Sequence, residues 1–475
     1  MTGVHLPSRA ANRSKRKHLS SNEEQSQSQS QSQSQSQSQC SNSHTKRRRV
    51  ASSSSSKPKT LTTRPDPPTT NQFQHLYSSS RSRRKHRDTK SNATEPSNRK
   101  WVFSSRDCSS YQDKVVVVSY NILGVENALK HPNLYYNVPR KFLDWDRRKS
   151  LIRKEINHYN ASILCFQEVD RFDDLEDLYR KDGFVGIYKA RTGEACDGCA
   201  IFWKDKLFTV LHQENIEFRR VGLRDNVAQL CVLEMIPNQS ESELYTQTSM
   251  SAPTQSRRLL VGNIHVLFNP NRGDIKLGQV RLFLEKAYEL SQEWGNIPVI
   301  IGGDLNSKPQ SAIYQFLASS KLDTQLHDRR KISGQLEGRD FRPQNENTAR
   351  WNVLMSIPRP LLYRWSDEEL RLATGCGGVT HVEHQLKLCS AYLGVPGSSR
   401  TRDNHGEPLA TSYHSKFLGT VDYIWHTEEL VPVRVLETLP IDILRRNGGL
   451  PSEKWGSDHL ALVCELAFAV DVKGT

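Results

Sequence analysis

The sequence predicts an α/β layered domain over residues 106–475, carried behind a disordered tail over residues 1–105. Three observations predict it. Eight apolar runs of strand length recur after residue 114. Amphipathic helical patterns lie between several of them, an alternation that builds layered α/β proteins. The polar composition is concentrated at one end. Residues 1–100 hold 20 Lys/Arg and 5 Asp/Glu, a net +15, and the remaining 375 hold 46 and 47, a net −1. The same hundred residues hold 14 apolar residues, against 36% for the whole chain. So polar a segment cannot bury enough surface to offset its ordering entropy.

Within the tail, Gln25 to Gln39 alternate strictly between Gln and Ser. A period of two suits a strand, but no apolar face exists to bury, so this reads as a solvated low-complexity linker. Basic clusters flank it at Lys15–Lys17, Lys46–Arg49 and Arg81–Arg87. Such clusters serve nuclear import or sequence-independent contact with nucleic acid phosphates. Nuclear and cytoplasmic residence is the expectation, and the Arg/Ser-rich start keeps an organelle signal as the alternative. The start lacks an apolar h-region, which argues against a secretory signal, and no run of about 18 apolar residues suggests a membrane span. Nine irregularly spaced cysteines suggest reduced thiols rather than a disulfide framework.

In chain order, the strand-like runs are 115–123, 161–169, 199–204, 226–236, 258–268, 297–305, 420–426 and 459–468. Each is rich in β-branched or aromatic residues and ends in Gly, Asn, Asp or charge. Most are continuously apolar rather than alternating, which predicts strands covered on both faces. Residues 145–159 place Leu151, Ile152 and Ile156 on one helical stripe, and 275–294 place Leu277, Val280, Leu284, Ala287 and Leu290 mainly on one side. Pro309 is expected to open a short helix through SAIYQFLAS. Two stretches break the pattern and read as insertions: polar 238–257, and charged, Gly/Ser-punctuated 325–412 with one short helix near 366–373.

Acids, amides and histidines recur where the strands end: Asn121, Glu168, His265, Asp304, Asn306, Asp422, Asp458 and His459. Strand ends feeding loops are where α/β sheets present binding groups. Taken singly, an Asp or Asn there is a turn former or helix cap, as Asn306 before Ser307-Lys308-Pro309 illustrates. Asp422 differs, because it interrupts an apolar strand, and a buried carboxylate requires a partner such as a histidine or a metal. Together the set suits metal-assisted phosphodiester cleavage, since carboxylate and amide oxygens are hard ligands for Mg²⁺ or Mn²⁺. Cys196-x-x-Cys199 lacks the second pair of a zinc site and runs straight into a strand, so it reads as structural. Neither a P-loop nor a G-x-S-x-G elbow occurs.

The blocks SYNILG, ILCFQEVD, GDLNSKP, GTVDYIWH and GSDHLALV resemble, in order, the signature motifs of the endonuclease/exonuclease/phosphatase superfamily. CDGCAIFW and IHVLFNPNRGDIKLGQVR are similar to its carbon catabolite repressor protein 4-like and Angel-type branch, with the look of a plant member. The resemblance covers about 114–469 apart from the two insertions. It implies a four-layer α/β/β/α sandwich, two facing mixed sheets flanked by helices. It also implies a Mg²⁺-dependent 3′-to-5′ exoribonuclease that shortens poly(A).

By the same resemblance, Glu168 is a principal metal ligand and Asn121 helps bind metal or phosphate. Asp304 and Asn306 hold a second metal and position water, and Asp458 lies beside the metals. Asp422 fixes the His459 ring, and His265 faces the scissile phosphate. Pro270 and Phe417 sandwich the terminal adenine. The implied partner is RNA at its poly(A) 3′ end. A deadenylase scaffold is a further implied partner, but not through leucine-rich repeats, which the chain lacks. Asn269, where poly(A) enzymes tend to carry Asp, keeps a second activity open: RNA 2′,3′-cyclic phosphate end processing. A non-catalytic RNA-binding scaffold is the third reading, and retention of the whole acid and histidine set argues against it.

Overall fold

A computed structural model describes residues 99–111, 113–237, 257–336 and 364–469. The first sheet contains β1 (Trp101–Phe103), β2 (Lys114–Asn121), β3 (Ile163–Val169), β4 (Phe184–Ala190) and β5 (Gly198–Lys204), joined late in the chain by β16 (Leu430–Leu436) and β17 (Leu462–Phe468). Its order is β1-β16-β17-β2-β3-β5-β4, with β2 and β3 parallel and the remaining pairs antiparallel. The second sheet contains β6 (Phe208–Glu217), β7 (Val227–Met235), β8 (Arg258–His265), β9 (Val299–Asp304), β12 (Leu388–Ser390) and β15 (Asp422–Thr427). Its order is β12-β15-β9-β8-β7-β6, with β8 and β9 parallel. A short ladder joins β10 (Lys321–Asp323) to β11 (His381–Glu383), and β13 (Ser412–His414) forms a hairpin with β14 (Phe417–Gly419).

The β2 run shows why its residues are apolar without alternation. Val115 and Val117 point between the sheets, against Val261 and Ile300 of the second sheet. Val116 and Val118 point outward, beneath α2 (Trp145–Asn157) and α3 (Phe172–Arg180). On the far face of the second sheet, α4 (Gly273–Glu293) and α5 (Ala312–Ser319) bury Leu277, Val280, Phe283 and Phe316. Helix, sheet, sheet and helix thus form the four layers. Smaller helices are α1 (Val125–Lys130), α6 (Asp367–Thr374) and α7 (Ile441–Arg446). No described helix is long and apolar enough to cross a membrane.

Three expectations require correction. Residues 99–103, assigned to the tail by the sequence reading, are part of the described fold: β1 pairs antiparallel with β16 and the Arg99 side chain is buried against Glu155. The short helix opens at Ser311, whose hydroxyl accepts from the Tyr314 amide, rather than at Pro309. The described part of 325–412 is also not structureless. Besides the expected short helix, found as α6 with a capping box on Ser366, it contains β11 and the edge strand β12, and Ala391, Tyr392 and Val395 enter the core between the sheets. Residues 1–98, 238–256 and 337–363 lie outside the described residues, as do the tail clusters and most of the 238–257 stretch. Among the described residues, all eight cysteines are free.

Candidate active site

The two sheets come close together at Gly302 of β9. A side chain there would lie 3.2 Å from Cβ of Ser119 on β2 and 3.1 Å from Cβ of Cys165 on β3. This approach brings the ends of β2, β3, β8, β9 and β15 to one place. Parallel pairing sets His265 beside Asp304, and antiparallel pairing sets Asp422 on its other side. Across the gap, the Asn121 amide donates both to Asp304 Oδ2 (3.1 Å) and to Glu168 Oε1 (3.0 Å). One asparagine thereby ties the two sheets and two carboxylates together.

Glu168 leaves β3 where the strand register shifts, and its backbone is left-handed at φ 57°. That conformation costs a non-glycine residue of order 1–3 kcal/mol and persists where the surroundings over-determine it. Here they do. The Glu168 Oε2 atom accepts from the Gly124 amide (3.1 Å) and from Asn127 (2.9 Å). Burial works to raise the Glu168 carboxyl, but His265 and the amides of Asn121 and Asn127 hold it below its ordinary value. Asn306 is also left-handed (φ 45°), a conformation asparagine tolerates. Its backbone amide donates to Asp304 Oδ1 (2.8 Å), and its side-chain amide donates to the Val266 carbonyl (3.0 Å) beside His265 Nε2 (3.2 Å).

The segment ending in Asp458 and His459 is held by backbone bonds to β13 and by Ser457, whose hydroxyl donates to the Asn121 carbonyl (2.7 Å). His459 Nδ1 lies 2.8 Å from Asp422 Oδ2, and its Nε2 turns toward Asp304 at 4.0 Å. Burial pushes the Asp422 carboxyl up to about 6 despite the pull of the His459 ring. Burial alone would lower His459, but Asp422 and Asp458 hold its imidazole well above the usual histidine range. The pair therefore keeps a proton, with its outer nitrogen directed at the acids. Asp458 accepts from the Tyr135 hydroxyl (2.9 Å).

Glu168, His265, Asp304, Asn306, Asp458 and His459 all line one cavity of about 450 Å³. Pro270 and Phe417 line it too. Phe417 stays outside the neighbouring apolar cluster, which takes Tyr413 and Leu418 instead. Asn121 and Asp422 stand behind the wall, fully buried. The structure thus gathers every residue singled out from the sequence. Sequence reasoning missed Asn127, Tyr135, Lys276 and Gln335. Asn127 lies on the short helix α1 and Tyr135 in the turn region after it, neither with a periodic pattern, Lys276 stands on the core face of α4, and Gln335 lies in the stretch read as an insertion. Lys276 is the one with a detectable signal, a charge amid the apolar positions of a helix.

The residues fit a divalent cation. Hard oxygen donors from Glu168, Asp304 and Asp458 converge on the cavity, and the buried Asp422 Oδ1 and His265 Nδ1 have no hydrogen-bond partner. Donor atoms of Asp304, Asp422 and His459 also lie within 4.8 Å of one another. Asp422 already engages His459 Nδ1, so the carboxylates facing the cavity are the ones that would hold a cation.

The family profile described as Endonuclease/Exonuclease/phosphatase matches residues 118–459. The chain is 64% identical over 399 residues to carbon catabolite repressor protein 4 homolog 5 of Arabidopsis thaliana, covering 84% of this chain and 86% of the relative. It is 32% identical over 388 residues to protein angel homolog 2 of Danio rerio, covering 73% and 63% respectively. Among solved structures, it is similar to ANGEL2, a 2′,3′-cyclic phosphatase, in complex with adenosine-2′,3′-vanadate, with TM-score 0.60 and 28% identity over 78% of this chain and 99% of that one. The chain belongs to the endonuclease/exonuclease/phosphatase family of hydrolases, whose members are typically dependent on divalent metals.

Proposed function

We propose that this family member is a Mg²⁺-dependent 3′-to-5′ exoribonuclease that removes terminal adenylates from RNA, with Mn²⁺ as an alternative ion. The observation that carries the reading is the row His265–Asp304–Asp422 facing Glu168 across a cavity that also holds Pro270 and Phe417. A volume of about 450 Å³ suits one terminal nucleotide rather than a threaded strand. Divalent ions bound by Glu168, Asp304, Asn306 and Asp458 would polarise the phosphate and acidify water. His459, oriented by Asp422, holds a proton at Nε2 within reach of the departing oxygen. His265 would face the scissile phosphate, its ring held by the Asn306 side-chain amide, which also donates to the Val266 carbonyl. Phe417 and Pro270 grip the base, the one part of the substrate that phosphate contacts cannot distinguish.

A second reading is favoured by the likeness to the cyclic phosphatase and by Asn269: hydrolysis of a terminal 2′,3′-cyclic phosphate at the same centre. The test uses two labelled RNAs with Mg²⁺, one ending in oligo(A) and one in a 2′,3′-cyclic phosphate. Stepwise shortening of the first supports the exonuclease. Loss of the cyclic end without shortening replaces that reading with the second. Residence in both nucleus and cytoplasm, and attachment to a deadenylase scaffold without leucine-rich repeats, are proposed alongside and tested by fractionation and by affinity capture of the full chain.

A further inference from the structure

Next to Asp304 the cavity wall carries His265 and Asn306, whose side-chain amide lies 3.2 Å from His265 Nε2. Gln335 lines the same cavity beside Asn306. Its Oε1 accepts from Lys276 Nζ (2.7 Å) and from the Ser333 hydroxyl (3.3 Å). Lys276 is fully buried in α4 and also donates to the Asn306 carbonyl (2.6 Å). Two donors, the Lys276 amine and the Ser333 hydroxyl, meet the Gln335 oxygen, which fixes it inward and leaves the NH₂ group outward. Among the described residues, that NH₂ meets one acceptor, Asn306 Oδ1 at 3.5 Å, the outer limit of a hydrogen bond. The backbone beneath is anchored: the Lys308 amide donates to the Ser333 carbonyl (2.9 Å), the Ile313 amide donates to the Ile332 carbonyl (3.2 Å), and Ile332 and Ser333 are buried.

We propose that Gln335 is a substrate-binding residue, whose amide N–H, oriented by Lys276, donates to an oxygen of the phosphate undergoing hydrolysis. The proposal rests on the reading of the cavity as a phosphodiester site. A phosphate oxygen is an acceptor only, so a fixed donor next to Asn306 favours it and a carboxylate at the same place repels it. A stretch that reads as a dispensable insertion would then supply part of the substrate-binding surface.

Two variants of the full chain test this, Gln335→Glu and Gln335→Leu. Melting temperature is measured without metal, kcat and KM on labelled oligo(A) with Mg²⁺, and oligo(A) affinity by fluorescence anisotropy in EDTA. In Gln335→Glu the new carboxylate meets Lys276, so the melting temperature is held or raised. Its kcat/KM nevertheless falls at least tenfold and its RNA affinity drops. Gln335→Leu loses about tenfold in kcat/KM. Values within twofold of the parent for both variants would overturn the proposal and leave Gln335 as packing, and if the Glu variant fails to fold, the Leu variant decides. If the parent cleaves neither RNA end, the functional reading fails by itself. Inorganic phosphate binding then judges Gln335: weaker binding in Gln335→Glu upholds it, and equal binding ends it.

Discussion

Adjacent residues of β2 serve two buried charge clusters on opposite faces of one sheet, and the clusters are finished differently. On the outer face, the Tyr120 hydroxyl donates to Glu155 Oε2 (3.2 Å), and Tyr159 and Arg99 donate to Oε1 (2.6 and 3.2 Å). The Arg99 guanidinium also donates to the carbonyls of Glu437 (2.8 Å) and Ala461 (2.6 Å). Both carboxylate oxygens are met, and the charges cancel. On the inner face, one residue later, Asn121 holds Glu168 and Asp304 in an excess of negative charge that opens on a cavity, with Asp422 Oδ1 and His265 Nδ1 left unmet. Polar groups that close on each other make structure. Groups held rigidly but left incomplete are arranged for something that arrives.

The sharpest test of this contrast changes the incomplete cluster. Glu168→Gln keeps the shape and removes a charge aimed at the metal. Activity in Mg²⁺ should fall by about 100-fold or more, a loss of roughly 3 kcal/mol of transition-state stabilisation, with the melting temperature nearly unchanged. Near-normal turnover would remove Glu168 from the reaction.

The converse test opens the completed cluster. Arg99→Met leaves Glu155 buried and unpaired, which is expected to cost about 3–5 kcal/mol in denaturant unfolding. Specific activity of the folded fraction should not change. A large activity loss at full stability would show that the two faces communicate.

A smaller effect sharpens the base-gripping role. Phe417→Ala should cost roughly 1–3 kcal/mol on oligo(A), and much less on a small base-free phosphodiester. Equal losses on both, with a lowered melting temperature, would make the ring packing alone.

A further test is a pH dependence. Burial holds the Lys276 ammonium down at about 7, against its ordinary 10.5. A depressed folded value contributes stability that is complete above the unfolded value and lost as pH falls through the folded one. Without metal, the parent should therefore lose melting temperature between about pH 10.5 and 7 more steeply than Lys276→Met, as a calorimetric pH series can show. Parallel curves would mean that Lys276 titrates normally.

Legibility in the sequence followed burial on both faces. The strands of the sheet centres, β2, β3, β8 and β9, are continuous apolar runs and can be read directly. β6 could not, because it lies at an edge with Gln213, Glu214 and Asn215 among its ten residues. β4 likewise mixes Lys189 and Gly186 into a partly exposed strand. For the site, charged residues that interrupt apolar strands stood out, Asp422 above all. Asn127 and Tyr135 gave no local sign, since their roles arise only when the segment after β2 folds over Glu168 and Asp458. Gln335 was hidden because composition alone cannot distinguish a solvent-facing polar segment from one that faces a cavity.

Asp304 and Asp422 are neighbours across a strand pair, yet residues 305–421, the edge strand β12 among them, separate the two in sequence. The hydrolytic row depends on where that segment starts and ends, not on its length. Loop closure becomes costlier only slowly as a connection grows, so natural variation can lengthen, shorten or rewrite it while the row stays in register. Diversity within such a lineage is therefore expected to accumulate in this one connection, giving related chains different substrate preferences around an unchanged hydrolytic centre.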